Sequence, residues 1–343
     1  MEILDLACDD AEPMIIHRIV EMEDMDLEDC KEPKQGIRAC VLNHIKTIHL
    51  ITKSDIKTTV YPATTFAFAS ALSGPLLTTD SIPTLLTVIL RLPKAIVWTW
   101  LNLWIFNLAN QRLPNSILED SINKPWRVIP SGRLTPTQAR RLLLISIPAV
   151  FLSTLYLGGR DESVGLMILT WVYNDLGAGD EVFFLRHVIN ALGFVSFGAG
   201  ATQVACGFPL HSLNKTGYQW LAAICVIITC TIQFQDMEDQ EGDRMRNRRT
   251  LPIVLGDSLT RWVNATVIIA FSLLAPMFWQ LEYTGYLLPT VIGIVIAGRT
   301  LLLRNLAADK RTFKLWCLWL MTLYLLPLAK YQCILSRSWP DRS

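Results

Sequence analysis

Long apolar runs recur along most of this chain, and they restrict its fold more than any other feature does. Of its 343 residues, 51% are hydrophobic and 18% are charged, whereas soluble domains usually carry about 25% charged residues. A run of about 20 apolar residues crosses the hydrocarbon core of a bilayer as an α-helix, which satisfies all of its own backbone hydrogen bonds. The sequence therefore predicts an all-α integral membrane protein.

We predict about nine transmembrane helices from these runs. They lie near residues 58–77, 95–111, 141–157, 164–173, 187–206, 218–235, 259–279, 286–303 and 314–331. Residues 83–90 form a further apolar run, which Arg91, Pro93 and Lys94 separate from the second span. We interpret this run as an interfacial lead-in, with a tilted extension of the second helix as the alternative.

The membrane domain is expected to cover residues 46–335, followed by a short tail at 336–343. Residues 1–45 form an acidic arm, in which no long apolar core follows a basic segment. The arm is therefore not a signal peptide, and the first span is expected to direct insertion. Its composition is typical of a solvated, partly disordered extension.

The loops of this topology differ in charge. The loops after the second, sixth and eighth spans carry the following basic residues: Arg112, Lys124, Arg127, Arg133, Arg140, Arg141, Arg244, Arg246, Arg248, Arg249, Arg304, Lys310 and Arg311. These three loops share one side of the membrane, and the positive-inside rule makes that side cytosolic. The glycosylation sequon at Asn214 then falls on the lumenal side, which agrees with this orientation.

Several other classes of protein are disfavoured. The formal net charge of +1 provides no basic field for a nucleic-acid partner. The eight cysteines form no CxxC pair and the five histidines form no ligand cluster, so a zinc site is not predicted. No feature of the sequence indicates an oligomeric state.

The segment that follows the sixth span carries the strongest chemical signal. Asp236, Asp239 and Asp243 are spaced i, i+3 and i+7, which places three carboxylates on one face if the helix continues. Mg²⁺ prefers a few carboxylates together with phosphate oxygens, and arginines such as Arg244 and Arg248 bind phosphate groups in a bidentate manner. The segment therefore predicts a magnesium-dependent diphosphate site.

A second polar segment lies in the loop after the second span, on the same side of the membrane. Glu119 and Asp120 supply carboxylates, whereas Lys124 and Arg127 supply charge for a phosphate group. Neutral oxygen ligands come from the side chains of Asn107, Asn110, Gln111 and Asn123. A purely topogenic loop explains the basic residues but not this polar cluster.

These two segments resemble the aspartate motifs of the UbiA-type prenyltransferase superfamily. The second motif is matched by Asp236-x-x-Asp239-x-x-Gly242-Asp243-Arg244, followed by Thr250-Leu251-Pro252, and the end of the first motif by Asp120-x-x-Asn123-Lys124-Pro125-x-Arg127. The resemblance covers nearly the whole chain after residue 40. It implies a UbiA-like helical bundle with a central cavity, a Mg²⁺ cofactor and a prenyl diphosphate substrate.

The resemblance also implies the residues of the site. The expected catalytic and metal-binding residues are Asp236, Asp239, Asp243, Glu119 and Asp120. The expected substrate-binding residues are Asn107, Asn110, Gln111, Asn123, Lys124, Arg127, Tyr173, Arg244, Arg248 and Arg249. Arg186 and Asn190 match a family region that helps to bind diphosphate, although helix caps and interfacial anchors explain that region equally well. Trp100, Trp104 and Trp220 are candidate residues of the cavity wall.

The chain departs from the family pattern in its first motif, where Asn107, Asn110 and Gln111 stand in place of early carboxylates. This variant is similar to fungal UbiA-type terpene cyclases. It therefore favours a terpene cyclase of the endoplasmic reticulum that acts on farnesyl diphosphate, with geranylgeranyl diphosphate as the second choice. The alternative is a prenyltransferase with an aromatic or quinone acceptor. A transporter is disfavoured because the acidic residues lie at helix ends rather than at the bilayer midplane.

Overall fold

The computed structural model of the protein describes residues 37–337. Its helices are α1 (Ile37–Thr52), α2 (Tyr61–Leu72), α3 (Leu85–Gln111), α4 (Pro114–Asn123), α5 (Pro136–Leu157), α6 (Arg160–Asn174), α7 (Phe183–Cys206), α8 (Lys215–Thr231), α9 (Asp236–Met245), α10 (Leu251–Val254), α11 (Asp257–Phe278), α12 (Tyr283–Leu302), α13 (Leu306–Tyr324) and α14 (Leu326–Arg337). A π-helical turn, Ile56–Val60, precedes α2. The predicted all-α fold is confirmed.

Within the described residues, seven helical segments are long and apolar enough to cross a membrane. They are Leu85–Gln111, Pro136–Leu157, Phe183–Cys206, Lys215–Phe234, Asp257–Phe278, Tyr283–Leu302 and Leu306–Ser336. The predicted spans at 58–77 and 164–173 correspond to α2 and α6, which have 12 and 15 residues. The predicted number of about nine spans is therefore not confirmed, whereas the multi-pass arrangement is.

The apolar run at 83–90 is part of a helix rather than a separate lead-in. Helix α3 continues through Pro93 without a break, since a membrane helix tolerates proline where neighbouring helices pack around the freed backbone groups. The guanidinium of Arg91 donates to the carbonyl of Cys206 at the end of α7, at 2.8 Å. Arg91 is thus accommodated by packing against α7, and the Lys94 ammonium group lies 5.2 Å from the centre of the Tyr156 ring on α5.

The predicted acidic arm and tail lie mostly outside the described residues. Of the arm at 1–45, the structure describes only the part from Ile37, where α1 begins. Residues 1–36 and 338–343 are not described. The predicted domain boundary at residue 46 falls inside α1.

Helix α7 forms the centre of the bundle, with α2, α3, α6 and α8 packed around it. Its second half, from Phe197 to Cys206, is buried at every position and rich in alanine and glycine. Small residues allow membrane helices to approach closely. At Gly200, an added Cβ atom would lie 2.0 Å from the Trp98 ring on α3, so this close crossing depends on glycine.

Candidate active site

The acidic helix α9 forms because the preceding span ends in a tight turn. A 3-10 turn, Ile232–Phe234, terminates the span, and α9 begins at Asp236. Carboxylates in a first helical turn are stabilised by the positive end of the helix dipole, and Asp236 and Asp239 occupy that turn. Asp236, Asp239 and Asp243 are all buried. The spacing predicted that these three carboxylates share one face of a continuing helix, and in the structure they share the buried side of the separate helix α9.

The short helix α4 places the second polar segment against α9. It starts with Pro114 in its first turn, a position where the missing N–H of proline has no cost. The side chain of Asn123 donates to the backbone carbonyl of Asp239 at 3.2 Å. An added Cβ atom at Gly242 would lie 2.3 Å from the Asn123 amide nitrogen, so the two helices meet at this glycine.

A polar chamber of about 100 Å³ lies between these two helices and the ends of α3, α6 and α7. Four cationic side chains and three carboxylates line it, namely Lys124, Arg127, Arg186 and Arg248 with Asp55, Glu119 and Asp239. Neutral polar side chains complete the wall: Thr58, Thr59, Asn110, Tyr173, Asn190 and Gln235. The wall thus carries both signs of charge: its lysine and arginines can bind phosphate oxygens, and its carboxylates can hold a divalent cation.

Two of the five predicted metal ligands line this chamber, and each is paired with a cation. Glu119 lies 2.9 Å from Arg246 and 3.1 Å from Arg248. The carboxylate of Asp239 lies 3.2 Å from the Lys124 ammonium group. Both carboxylates are therefore held in place by residues of the predicted phosphate-binding loops.

The other three predicted ligands lie behind the chamber wall. Asp236 forms an ion pair with Arg186, and its carboxylate lies 3.5 Å from the His187 imidazole. Asp120 accepts two hydrogen bonds of 2.8 Å from one nitrogen of Arg127, and Asp243 lies 3.0 Å from Arg248. Since each of these three arginines lines the chamber, the buried carboxylates orient cations that face the cavity.

Burial and neighbouring charges shift the acid strengths of Glu119 and Asp243 in opposite directions. Burial raises the pKa of Glu119, but Arg248, Lys124 and Arg246 outweigh it and lower that pKa to about 2. Burial dominates at Asp243 and raises its pKa to about 7, despite the attraction of Arg186 and Arg248. Glu119 is consequently ionised at neutral pH and available as an anionic oxygen ligand.

The chemistry of the donors at the chamber fits a magnesium ion. Among residues 37–337, no three carboxylate, imidazole or thiol side chains gather closely enough to form a complete metal site. Mg²⁺ commonly takes only one or two protein carboxylates and completes its shell with water and substrate phosphate. Glu119, Asp239 and the amide oxygens of Asn110 and Gln235 are oxygen donors of that kind at the wall.

The structure brings half of the predicted substrate-binding residues to the chamber, namely Asn110, Lys124, Arg127, Tyr173 and Arg248. Gln111 instead donates to the Ile51 carbonyl at 2.8 Å, and Asn107 is fully buried within the bundle. Arg244 bonds to Gln240 on the outer face of α9, and Arg249 is exposed. Asn123 contacts the backbone of α9, as described above, so it supports the site from behind.

Several residues of the site were not predicted. Asp55 comes from the α1–α2 connection, and Phe106 and Phe194 come from the interiors of apolar spans. Asp180 lies in the α6–α7 loop, 2.8 Å from Arg246 and 3.0 Å from Arg248. Asp180 could have been predicted from the sequence, because it is an acidic residue in a short loop on the same side of the membrane as the two motifs. The apolar residues carried no comparable signal.

The three tryptophans proposed for the cavity wall lie elsewhere. Trp100 donates to Thr52 at 3.2 Å and Trp104 to Ser146 at 2.9 Å. Trp220 is fully buried and packs against Phe278 and Trp279. None of the three lines the polar chamber or the apolar pocket that continues from it into the bundle.

An apolar pocket continues from the polar chamber into the bundle. The two cavities share five lining residues, which are Thr59, Phe106, Tyr173, Asn190 and Phe194. The remaining wall of the apolar pocket consists of Leu166, Leu169, Thr170, Ile189, Gly193 and Phe197. The predicted central cavity therefore has a charged end and an apolar end, which suits an amphipathic molecule with an anionic head.

Comparison with known families agrees with this architecture. The model of the UbiA prenyltransferase family matches residues 62–322. The chain belongs to the UbiA prenyltransferase family. The matched region contains both predicted motifs and the helices α3, α4, α6, α7 and α9, which line the two cavities.

Two curated members of the UbiA family are similar in sequence. Fumagillin beta-trans-bergamotene synthase of Aspergillus fumigatus is 29% identical over 240 residues, which cover 70% of this chain and 76% of that protein. Somaliensene A/B synthase of Streptomyces somaliensis is 27% identical over 284 residues, which cover 80% and 89% of the two chains. Both names denote synthases.

A UbiA homolog from Archaeoglobus fulgidus, solved bound to GPP and Mg²⁺, has a similar fold. Its TM-score is 0.54 at 10% sequence identity, and the match covers 82% of this chain and 99% of the homolog. At that identity the comparison establishes the UbiA fold of this protein.

Proposed function

We propose that this protein is a magnesium-dependent terpene cyclase that ionises a prenyl diphosphate, most favourably farnesyl diphosphate. The observation that carries this proposal is the direct continuity between the charged chamber and the apolar, aromatic-walled pocket. The diphosphate head of a prenyl diphosphate suits the charged chamber, and its prenyl chain suits the apolar pocket. The synthases among the relatives, and the homolog bound to GPP and Mg²⁺, support the substrate class.

The residues of the chamber would bind and stabilise the diphosphate. Lys124, Arg127, Arg186 and Arg248 are held by buried or wall carboxylates, so their positive charges are fixed before the reaction. Preorganised charge of this kind stabilises a leaving group as negative charge develops on it. Glu119 and Asp239 would hold Mg²⁺, which supplies Lewis-acid stabilisation of the phosphate oxygens.

The residues at the junction of the two cavities would receive the allylic cation. When the C–O bond breaks, both electrons leave with the diphosphate, and the cation remains beside Phe106, Tyr173 and Phe194. Aromatic faces attract cations, and an apolar pocket keeps water away from a reactive intermediate. Ring closure by an internal double bond, followed by transfer of a proton to the released diphosphate, gives a hydrocarbon.

The test is an assay of membranes that contain the expressed protein, supplied with farnesyl or geranylgeranyl diphosphate and Mg²⁺ without an acceptor. Gas chromatography with mass spectrometry should detect a cyclic hydrocarbon. We expect Asp239→Asn to lower its rate of formation by about 100-fold, the order found when one charge-stabilising group is removed from an active site. Glu241→Gln, on the exposed face of the same helix, should have little effect.

The alternative function is transfer of the prenyl group to an aromatic or quinone acceptor, and the name of the family denotes prenyl transfer. It uses the same ionisation step and differs only in what captures the cation. Diphosphate release that requires an added acceptor, without any hydrocarbon in its absence, would replace the cyclase proposal with this one.

We further propose that the protein lies in the endoplasmic reticulum membrane with the chamber facing the cytosol.

A further inference from the structure

One side of α7 carries residues along the full length of the two cavities. Arg186, Asn190, Gly193, Phe194 and Phe197 recur at helical spacing, so they face the same direction. Arg186 lines only the polar chamber, Asn190 and Phe194 line both cavities, and Gly193 and Phe197 line only the apolar pocket. With a rise of about 1.5 Å per residue, Gly193 lies about 10 Å along the axis from Arg186.

Gly193 stands out because its missing side chain is not explained by packing. A Cβ atom added at Gly193 would have no neighbouring atom within 4 Å. At Gly200 and Gly198 on the same helix, an added Cβ would meet Trp98 at 2.0 Å and Phe66 at 3.2 Å. Glycine weakens a helix interior relative to alanine, so packing gives a reason for glycine at position 200 but none at position 193.

We propose that Gly193 sets the depth of the apolar pocket and thereby the prenyl chain length and the folding of the chain that the enzyme accepts. This inference rests on the proposed function. The pocket has a volume of about 70 Å³ and is bounded across from α7 by Leu166, Leu169 and Thr170 of α6. A Cβ atom at position 193 would take space from this pocket without meeting a neighbouring atom within 4 Å.

The experiment compares the wild type with Gly193→Ala, Gly193→Val and Gly193→Leu in lipid nanodiscs. Each protein receives geranyl, farnesyl or geranylgeranyl diphosphate with Mg²⁺, and diphosphate release, products and the ligand-induced rise in Tm are measured. Single methylenes change selectivity in apolar pockets by about 10- to 200-fold. We therefore expect kcat/KM for the longest accepted substrate, relative to the shortest, to fall at least about tenfold in Gly193→Val and further in Gly193→Leu.

Gly298→Val is the matched control, because Gly298 also has open space around its Cβ position and lies on α12, away from both cavities. It should leave the chain-length ratio and the products unchanged. Gly193→Ala, the smallest change, should shift the ratio in the same direction, and it keeps the test informative if the larger variants do not fold.

Two outcomes would overturn the inference, and they are distinguishable. Unchanged chain-length ratios, products and ligand-induced Tm shifts in a folded Gly193→Val or Gly193→Ala protein would refute the role of Gly193 while leaving the proposed function intact. A wild type that neither binds nor turns over any of the three diphosphates would refute the proposed function and this inference together.

Discussion

At the scale of single residues, the turn after α9 places the neighbouring side chains of Arg248 and Arg249 in different surroundings. Asn247 adopts a left-handed backbone conformation with φ of 56°, which reverses the chain after α9. The backbone N–H of Arg248 then donates to the Asp243 carbonyl at 2.9 Å, and the Arg248 side chain enters the chamber wall. Arg249 points away and is exposed. Both arginines were predicted to bind the substrate.

We expect Arg248→Gln and Arg249→Gln to differ sharply in activity. Loss of a hydrogen bond to a charged group costs about 1.5–3 kcal/mol, so kcat/KM should fall about 10- to 100-fold in Arg248→Gln. Arg249→Gln should stay within about twofold of the wild type, since an exposed charge contributes little. Steady-state diphosphate release measures both.

Arg248 also neutralises buried carboxylates, so the folded fraction of each variant needs its own measurement. Arg248→Lys retains a positive charge but loses the planar fork, and it should restore the Tm more fully than the activity. Equal activity losses in the two glutamine variants would contradict the assignment of Arg248 to the chamber.

At the scale of helices, the crossing of α3 and α7 positions both ends of the cavity. Helix α3 supplies Phe106 and Asn110 to the walls, and α7 supplies Arg186, Asn190 and Phe194. The fully buried Trp98 of α3 lies over Gly200 of α7. The contact between Trp98 and Gly200 therefore sets the distance between α3 and α7, and with it the width of the cavity between these two helices.

We expect Gly200→Ala to destabilise the protein, although alanine is the better helix former. Its Cβ would lie 2.0 Å from a ring that is buried on all sides, and overpacking of this kind costs about 1–3 kcal/mol. The Tm in detergent should fall by about 2–5 °C. Trp98→Phe in the same chain should recover part of the loss, and a Gly200→Ala protein as stable as the wild type would contradict the described crossing.

At the scale of the whole molecule, basic residues are concentrated at the chamber end of the bundle. The connections between α3 and α5 and between α8 and α11 carry Arg112, Lys124, Arg127, Arg133, Arg244, Arg246, Arg248 and Arg249. The connection between α7 and α8 at the other end has no lysine or arginine. There the predicted sequon residue Asn214 caps α8 by accepting from the Gly217 N–H and donates to the carbonyls of Pro75 and Thr78. A glycan would disrupt these hydrogen bonds.

We expect cysteines engineered at the two ends of the bundle to react on opposite sides of the membrane. Ser131→Cys lies on an exposed loop at the chamber end, and Leu210→Cys lies at the other end with 76% of the residue exposed. In sealed microsomes, the positive-inside rule predicts that a membrane-impermeant maleimide labels position 131 at once and position 210 only after permeabilisation. The unmodified protein provides the background, and the reverse pattern would place the chamber in the lumen.

The sequence by itself determined the class of the fold and the acidic helix. Long apolar runs indicate membrane-spanning helices, because lipid offers no hydrogen-bond partners to backbone groups that are left unpaired. The spacing of Asp236, Asp239 and Asp243 indicates that they share one helical face. Local patterns of this kind need no knowledge of distant residues. The same holds for the family, since its motifs at Asp120–Arg127 and Asp236–Arg244 are contiguous in the chain.

Only the tertiary structure decided which of the polar residues face the cavity. Asp236, Asp120 and Asp243 lie behind arginines that come from α7, the α4–α5 loop and the turn after α9. These pairings depend on how the helices and loops pack and not on the helical spacing of the carboxylates. The role inferred for Gly193 likewise depends on empty space between α6 and α7, which is a property of packing. Hydrophobic pattern and local spacing specify which elements form, whereas the burial of charge and the shape of the pocket arise when those elements meet.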